Sequence, residues 1–253
     1  MKLFMWRVFV LLLFILSAFA TPKTSFKTAQ LKYPRVKAAF QNKEKLMINL
    51  YKSKQINIKN AHIFIRVFKQ EDALELWAKN KNSSAFTKIK TYKICAKSGT
   101  IGPKARAGDG QVPEGLYTIN CFNPTSNYHL SLGLNYPNKA DKLRAGLFPT
   151  GGEIFIYGSC VTIGCMPLTD EFIDELYISC VEAKACLQKN IQVEIYPCRL
   201  NKENSQKIKK KYAKNVAFIK VWDVLQKSYD HFEKHQFPIS YSFDAKGNYN
   251  FRP

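Results

Sequence analysis

A period-two alternation that begins at Ala61 limits the fold more than any other feature. In "HIFIRVFKQ", Ile63, Ile65 and Val67 fall on one face. Successive side chains of a strand point to opposite faces, so this spacing reads as a strand. "ALELWAKN" follows as a hairpin partner after a turn at Gln70–Asp72, and "FTKIKTYKIC" alternates again through Ile89, Tyr92 and Ile94. "LYTINCF", the middle of "NPTSNYHLSLGLNYPN", Glu153 to Tyr157 and "IQVEIYP" supply further strands. One helix interrupts them. Thr169 or Asp170 caps it, acidic residues fill its first turn, and Phe172, Ile173, Leu176, Cys180 and Ala183 recur at helical spacing to about Leu187. Many strands with one embedded helix predict a β-rich α+β domain over residues 61–200.

The flanks differ in texture. Residues 1–20, "MKLFMWRVFVLLLFILSAFA", have basic Lys2 and Arg7, an apolar core and a small-x-small site at Ala18-Phe19-Ala20. That is the pattern of a signal peptide, and the apolar run is shorter than the ~20 residues a bilayer span requires. The alternative is a retained N-terminal anchor. Residues 21–60 form a Lys-rich lead-in, with a helix expected from about Tyr33 that packs on the main domain. Residues 201–253 are expected to form a C-terminal helical extension. It comprises a basic helix over Asn201–Lys214, an amphipathic one over Ala217–Lys234 and a closing hairpin in "ISYSFDAKGNYNF". Phe218, Val221, Trp222, Leu225, Tyr229 and Phe232 share one helical face and read as a docking surface.

The net charge of +20 falls to +18 once residues 1–20 are removed. Export argues against nucleic acid as a partner and favours acidic envelope polymers, with a solubilising lysine surface as the plainer reading. Seven cysteines (95, 121, 160, 165, 180, 186 and 198) and four histidines, with no CxxC pair, fit a zinc site poorly. In an exported chain an odd count leaves at least one thiol free unless it pairs between chains, and catalysis is a reason to keep one. Cys165 stands in "TIGCMP", after a strand and directly after Gly164, with Thr162 three positions before it. A glycine there allows a tight turn whose amides can converge on an oxyanion, beside a thiol that attacks a carbonyl. Taken alone the pattern is weak, since buried cysteines often serve only as small hydrophobes.

The wider sequence carries more. "TIGCMPLTD" resembles the S/T-x-G-C signature of the L,D-transpeptidase (YkuD-type) catalytic domain, in its YafK-like subgroup. The resemblance extends through "VFKQEDALELW", "YKICAKSGTIGPKARAGDGQVPEGLYTI", "NPTSNYHLSLGLNYPN", "IQVEIYP" and the Trp222 and "YDHFE" region, from about Ala61 to Phe232. It implies a β-sandwich or barrel core with one embedded helix and C-terminal helices. It implies Cys165 as nucleophile on the L–D bond of diaminopimelate-type peptidoglycan stem peptides, through a thioester, with Thr162 and Gly164 shaping the turn and oxyanion site. The acceptor would be a stem-peptide amine, an envelope protein amine or water. No cofactor, no metal, no nucleic acid and no stable membrane insertion are implied, and the location would be the periplasm or cell envelope. The subgroup pattern also suggests a Cys95–Cys160 disulfide.

One departure stands out. The subgroup has Ile-His-Gly before the nucleophile, with histidine as general base, whereas this chain has Ile156, Tyr157 and Gly158. An ordinary tyrosine titrates near ~10 and is a poor base at neutrality. Three readings stay open: Cys165 activated by other means, His129 acting in place of the missing histidine, or a peptidoglycan-binding pseudoenzyme. In the loop Gly102–Glu114, Lys104, Arg106 and Asp109 are candidates for binding a stem-peptide carboxylate, or for pinning the loop. Pro113-Glu114-Gly115 is read as shaping the approach to the next strand.

Overall fold

The computed structural model describes residues 25–252; the predicted signal segment, residues 1–20, lies outside them. Helices α1 (Phe26–Gln30) and α2 (Pro34–Lys52) lead into strands β1 (Ala61–Phe68), β2 (Ala73–Asn80) and β3 (Thr87–Lys93). A long loop then leads to β4 (Gly115–Asn123), β5 (Ser131–Leu134), α3 (Lys139–Ala145), β6 (Phe155–Tyr157) and β7 (Met166–Pro167). Helix α4 (Asp170–Ala185) and β8 (Gln192–Tyr196) close this part, and α5 (Lys202–Lys211), α6 (Val216–His235) and the hairpin β9 (Ser240–Phe243) and β10 (Tyr249–Arg252) follow.

Eight strands form one sheet in the order β3-β2-β1-β8-β4-β5-β6-β7. Strand β8 inserts parallel to β1 and antiparallel to β4, although β1 and β8 lie far apart in sequence. Strand β4 serves two neighbours. Its first half, Gly115–Thr118, pairs with β8, and its second half pairs with β5 after a register shift between Ile119 and Cys121. An irregularity of this kind bends a strand, so the sheet curls across β4. The architecture is the expected β-rich α+β core with C-terminal helices, built as a single curled sheet, and it embeds two helices, α3 and α4, where the sequence reading expects one.

Both faces of the central strands are buried. Ile63, Ile65 and Val67 of β1, with Val193 and Ile195 of β8, point toward α2 and α4. Phe68, Leu116 and Tyr196 point the other way, under Trp222 and Leu225 of α6. Leu225 and Phe232 are fully buried there, each worth about 1.5–3 kcal/mol by the area removed from water. The amphipathic stripe of α6 is thus a wall of the core. In β3, Ile89 and Tyr92 are three residues apart yet reach one core, because the β2–β3 register shifts between Leu76 and Trp77.

The second face carries a buried row of charge. In register across β2, β1 and β8 stand Glu75, Arg66 and Glu194, all with no exposure. Arg66 donates to Glu233 Oε1 of α6 at 2.7 Å and lies over the rings of Phe68, Tyr196, Tyr229 and Phe232. Burial pushes the Glu194 carboxyl up, while hydrogen bonds from Tyr196 and Ser228 and the charge of Arg66 pull it back.

Helix starts follow their capping chemistry. Thr169 Oγ1 accepts from the Phe172 N–H, with Asp170 and Glu171 in the first turn of α4. Helix α2 begins at Pro34, one residue after the expected start, with proline at its first position. Helix α3 falls in a stretch to which the sequence reading assigns no element. Asn138 and Asp141 form a reciprocal capping box that starts it.

Candidate active site

Strand β6 and the turn after it build the site. Phe155 and Tyr157 are two apart on β6 and share a face, and the chain then reverses through Ser159 and Cys160, both at positive φ, to reach Cys165 before β7. Gly158 has no room for a side chain: a Cβ there would lie 2.4 Å from Asp170 Oδ1, which accepts the Ser159 N–H at 2.8 Å. Cys160 and Cys95 form a disulfide, which ties this turn to the end of β3. The bridge closes a separation of 65 residues, so removing it with Cys160→Ser is expected to cost about 2–4 kcal/mol. Peptide mapping without reductant should find the two linked; two free thiols would refute the pairing.

Thr162 closes the last turn. Its Oγ1 accepts the Cys165 N–H and its hydroxyl donates to the Cys165 carbonyl, both at 2.9 Å. Gly164 takes φ +103°, which a side chain rarely adopts, and its open face lies against the Gln111 carbonyl. The Thr162 hydroxyl and the glycine therefore set how Cys165 leaves the turn.

The Cys165 Sγ meets the Phe155 N–H at 3.4 Å and the Glu153 carbonyl at 3.5 Å. Burial pushes its thiol up; the Phe155 N–H and the charge of Lys104 pull the other way, and Glu153 adds to the rise. Two clefts have Cys165 in their lining. One, of about 560 Å³, is lined by Asn123, Ser126, Tyr128, Glu153, Tyr157 and Thr162 among others, and Val161 and Ile163 stand exposed at its edge. The other, of about 210 Å³, is lined by Lys69, Asp72, Lys97, Ser98, Thr100 and Met166 among others.

Tyr157 lines the first cleft with Cys165, but its hydroxyl donates to the Val161 carbonyl at 2.7 Å and its ring stacks on Tyr128 at 4.9 Å. Burial raises its pKa further, so it does not accept a proton at neutrality. His129 is directed elsewhere: its Nε2 lies 2.7 Å from Asp174 Oδ1 on α4, and it lines neither cleft.

In the long loop, Lys104 Nζ meets Asp109 Oδ1 at 2.6 Å and the Arg106 carbonyl at 3.0 Å. Asp109 also accepts the N–H groups of Ala105, Arg106 and Gln111, and these bonds with Lys104 outweigh burial to hold its carboxyl below the usual range. Lys104 and Asp109 spend their charge on each other and on the loop. Arg106 is the exposed member of the three. Neither Glu153 nor Phe155 is singled out by the sequence pattern. Their contacts with the thiol run through main-chain atoms, which leave no mark in residue type. Among the described residues no cluster of three or more potential metal ligands occurs, and no helix is long and apolar enough to cross a membrane.

The L,D-transpeptidase catalytic domain (YkuD) matches residues 62–195. YafK of Escherichia coli K12, named provisionally as an L,D-transpeptidase, is 34% identical over 182 residues, 71% of this chain and 70% of that protein. Among solved structures, the helical cell shape determining protein Pgp2 of Campylobacter jejuni is 17% identical over 72% of this chain and 73% of that one, with a TM-score of 0.44. L,D-transpeptidase 1 of Mycobacterium tuberculosis is 9% identical over 54% and 62%, with a TM-score of 0.31.

Proposed function

Because this chain belongs to the L,D-transpeptidase catalytic-domain family, we propose that it is an exported, peptidoglycan-modifying cysteine acyltransferase with Cys165 as nucleophile. The observation that carries this reading is that Cys165 lines two clefts, an arrangement suited to a donor on one side and an acceptor on the other. Catalysis is assigned to residues 61–200, with residues 21–60 and 201–253 as supporting segments and residues 1–20 as the export signal.

The thiolate attacks the carbonyl carbon of the L–D bond in a diaminopimelate-type stem peptide. The C–N bond breaks, the leaving D-amino acid takes a proton from solvent water on its amine, and a Cys165 thioester remains. An acceptor amine from a second stem or an envelope protein, or water, then attacks the thioester and releases the thiolate. Of Lys104, Arg106 and Asp109, exposed Arg106 is the one open to a stem-peptide carboxylate, although it lines neither cleft. Lys104 acts on the thiol through its charge and on the loop through Asp109.

No imidazole lines either cleft, so the reactive species is the thiolate present at the working pH. With the thiol raised by burial, only a small fraction is ionised at neutrality. The acylation rate is therefore expected to climb with pH throughout the neutral range, with no neutral plateau of the kind a histidine base gives. The test follows carbapenem adduct formation and muropeptide masses against pH for the wild type and Cys165→Ala. The wild type should form a Cys165 adduct and change the muropeptides, and the variant should do neither. A wild type without adduct or product sinks the enzyme reading. The tyrosine hydroxyl spent on Val161 favours a second reading in that event, a wall-binding pseudoenzyme, which purified sacculi would capture.

A further inference from the structure

Glu114 lies at the base of the long loop and is almost wholly buried. Its Oε1 accepts the Gly102 N–H at 2.6 Å and lies 3.0 Å from Lys69 Nζ. Its Oε2 accepts the indole N–H of Trp222, on α6, at 2.7 Å. Lys69 Nζ in turn donates to the carbonyls of Gly102 and Val112, both at 2.8 Å. The two ends of the loop are thereby held by one buried ion pair, and that pair is held by the C-terminal helix. Gly102, at φ +125°, rests against Phe218 of the same helix: a Cβ there would meet the Phe218 ring at 2.4 Å. Between the held ends the loop carries Lys104, whose charge reaches the thiol, and Gln111, whose carbonyl abuts Gly164.

We propose that Glu114, with Lys69 and Trp222, is a positioning group that transmits the docking of α6 to the placement of the loop, and with it Gln111, against the Cys165 turn. It touches neither substrate nor thiol and acts through the loop. The proposal rests on Cys165 being the reactive thiol, and it gives the C-terminal segment a task in the chemistry besides burial. A buried carboxylate with three donors tolerates little change. Glu114→Gln leaves Lys69 buried opposite a neutral group, and Trp222→Phe leaves Oε2 without its donor while keeping most of the ring.

The test compares wild type, Glu114→Gln, Trp222→Phe and Phe232→Leu, the last a control in α6 packed against Phe64 and Trp77 away from the loop. Thermal unfolding is recorded for each. Alkylation by iodoacetamide is followed at the Cys165 peptide by mass spectrometry across pH, since Cys121 and Cys186 are also accessible. Glu114→Gln and Trp222→Phe should shift the alkylation profile along the pH axis, because Gln111 no longer fixes the Gly164 turn that presents the sulfur. They should also slow carbapenem acylation on the order of 10²-fold, the scale of a 1 Å misplacement. Phe232→Leu should unfold at lower temperature and keep the wild-type profile. An unchanged profile in Trp222→Phe overturns the proposal, as does an equal shift in Phe232→Leu; should Glu114→Gln not fold, Trp222→Phe decides alone. Alkylation needs no peptidoglycan, so a shifted profile in a protein without muropeptide turnover would sink the proposed enzyme and keep the positioning role.

Discussion

Replacing Tyr157 with histidine is expected to raise the rate of Cys165 acylation at neutral pH by about 10²-fold, the lower end of what a positioned general base contributes. Tyr157 sits on the same face of β6 as Phe155, whose N–H touches the sulfur, and lines the same cleft as Cys165. An imidazole there would titrate near neutrality, take the thiol proton and return it to the leaving amine. The pH profile should change with the rate, from a steady climb to a rise that levels near the imidazole pKa. The cost is the bond from the tyrosine hydroxyl to the Val161 carbonyl, which braces the turn leading to Thr162. Stopped-flow acylation by a carbapenem separates the outcomes. A faster, levelling profile makes the tyrosine a brake on an intact site, whereas an unchanged or slower rate makes it a strut the turn requires.

Arg66→Met is expected to destabilise the protein by about 3–5 kcal/mol in urea unfolding, the range for removing one partner of a buried ion pair. Glu75 keeps Arg199 at 2.8 Å if Arg66 is lost. Glu233, the carboxylate that Arg66 bonds, is half exposed and regains water, whereas Glu194 loses the neighbouring charge and stays buried beneath α6 with only the hydrogen bonds of Tyr196, Ser228 and Gln192. The double variant Arg66→Met with Glu194→Gln should therefore be more stable than Arg66→Met alone. A single variant within about 1 kcal/mol of wild type would place Arg66 among weakly contributing surface pairs and contradict its burial.

The elements that were legible share one property: their signal lies within a short window. Ile63, Ile65 and Val67 declare β1 by alternation, the Trp222 stripe declares α6 by helical spacing, and Thr169 declares the start of α4 by its cap. Helix α3 was hidden because Asn138 and Asp141, which cap it, are also turn residues, and the helix itself is short. The second face of β1 was illegible because Arg66 reads as an exposed charge until β8 and α6 supply its surroundings. The site divides the same way. Cys165, Thr162 and Gly164 stand within four residues, and their turn could be read locally. Lys104 and its ion-pair partner Asp109 are five positions apart, yet whether those charges meet the loop or a ligand depends on three-dimensional contacts. Glu114 gave no local sign of its role, since its partner Trp222 is 108 residues away.

The placement of β8 between β1 and β4 has a consequence for how the chain reaches this state. Until residues 192–196 are available, the strands made before them form two open ribbons, β1 to β3 and β4 to β7, each with one side awaiting the missing strand. Closing the sheet requires contacts of long sequence separation, which fold slowly, and unpaired strand sides recruit other chains in the interval. A chain cut before Gln192 would carry every residue of the Cys165 turn and still present two sticky ribbons. Its fate would be association with its own copies, and the thiol would be lost to aggregation before any chemistry began.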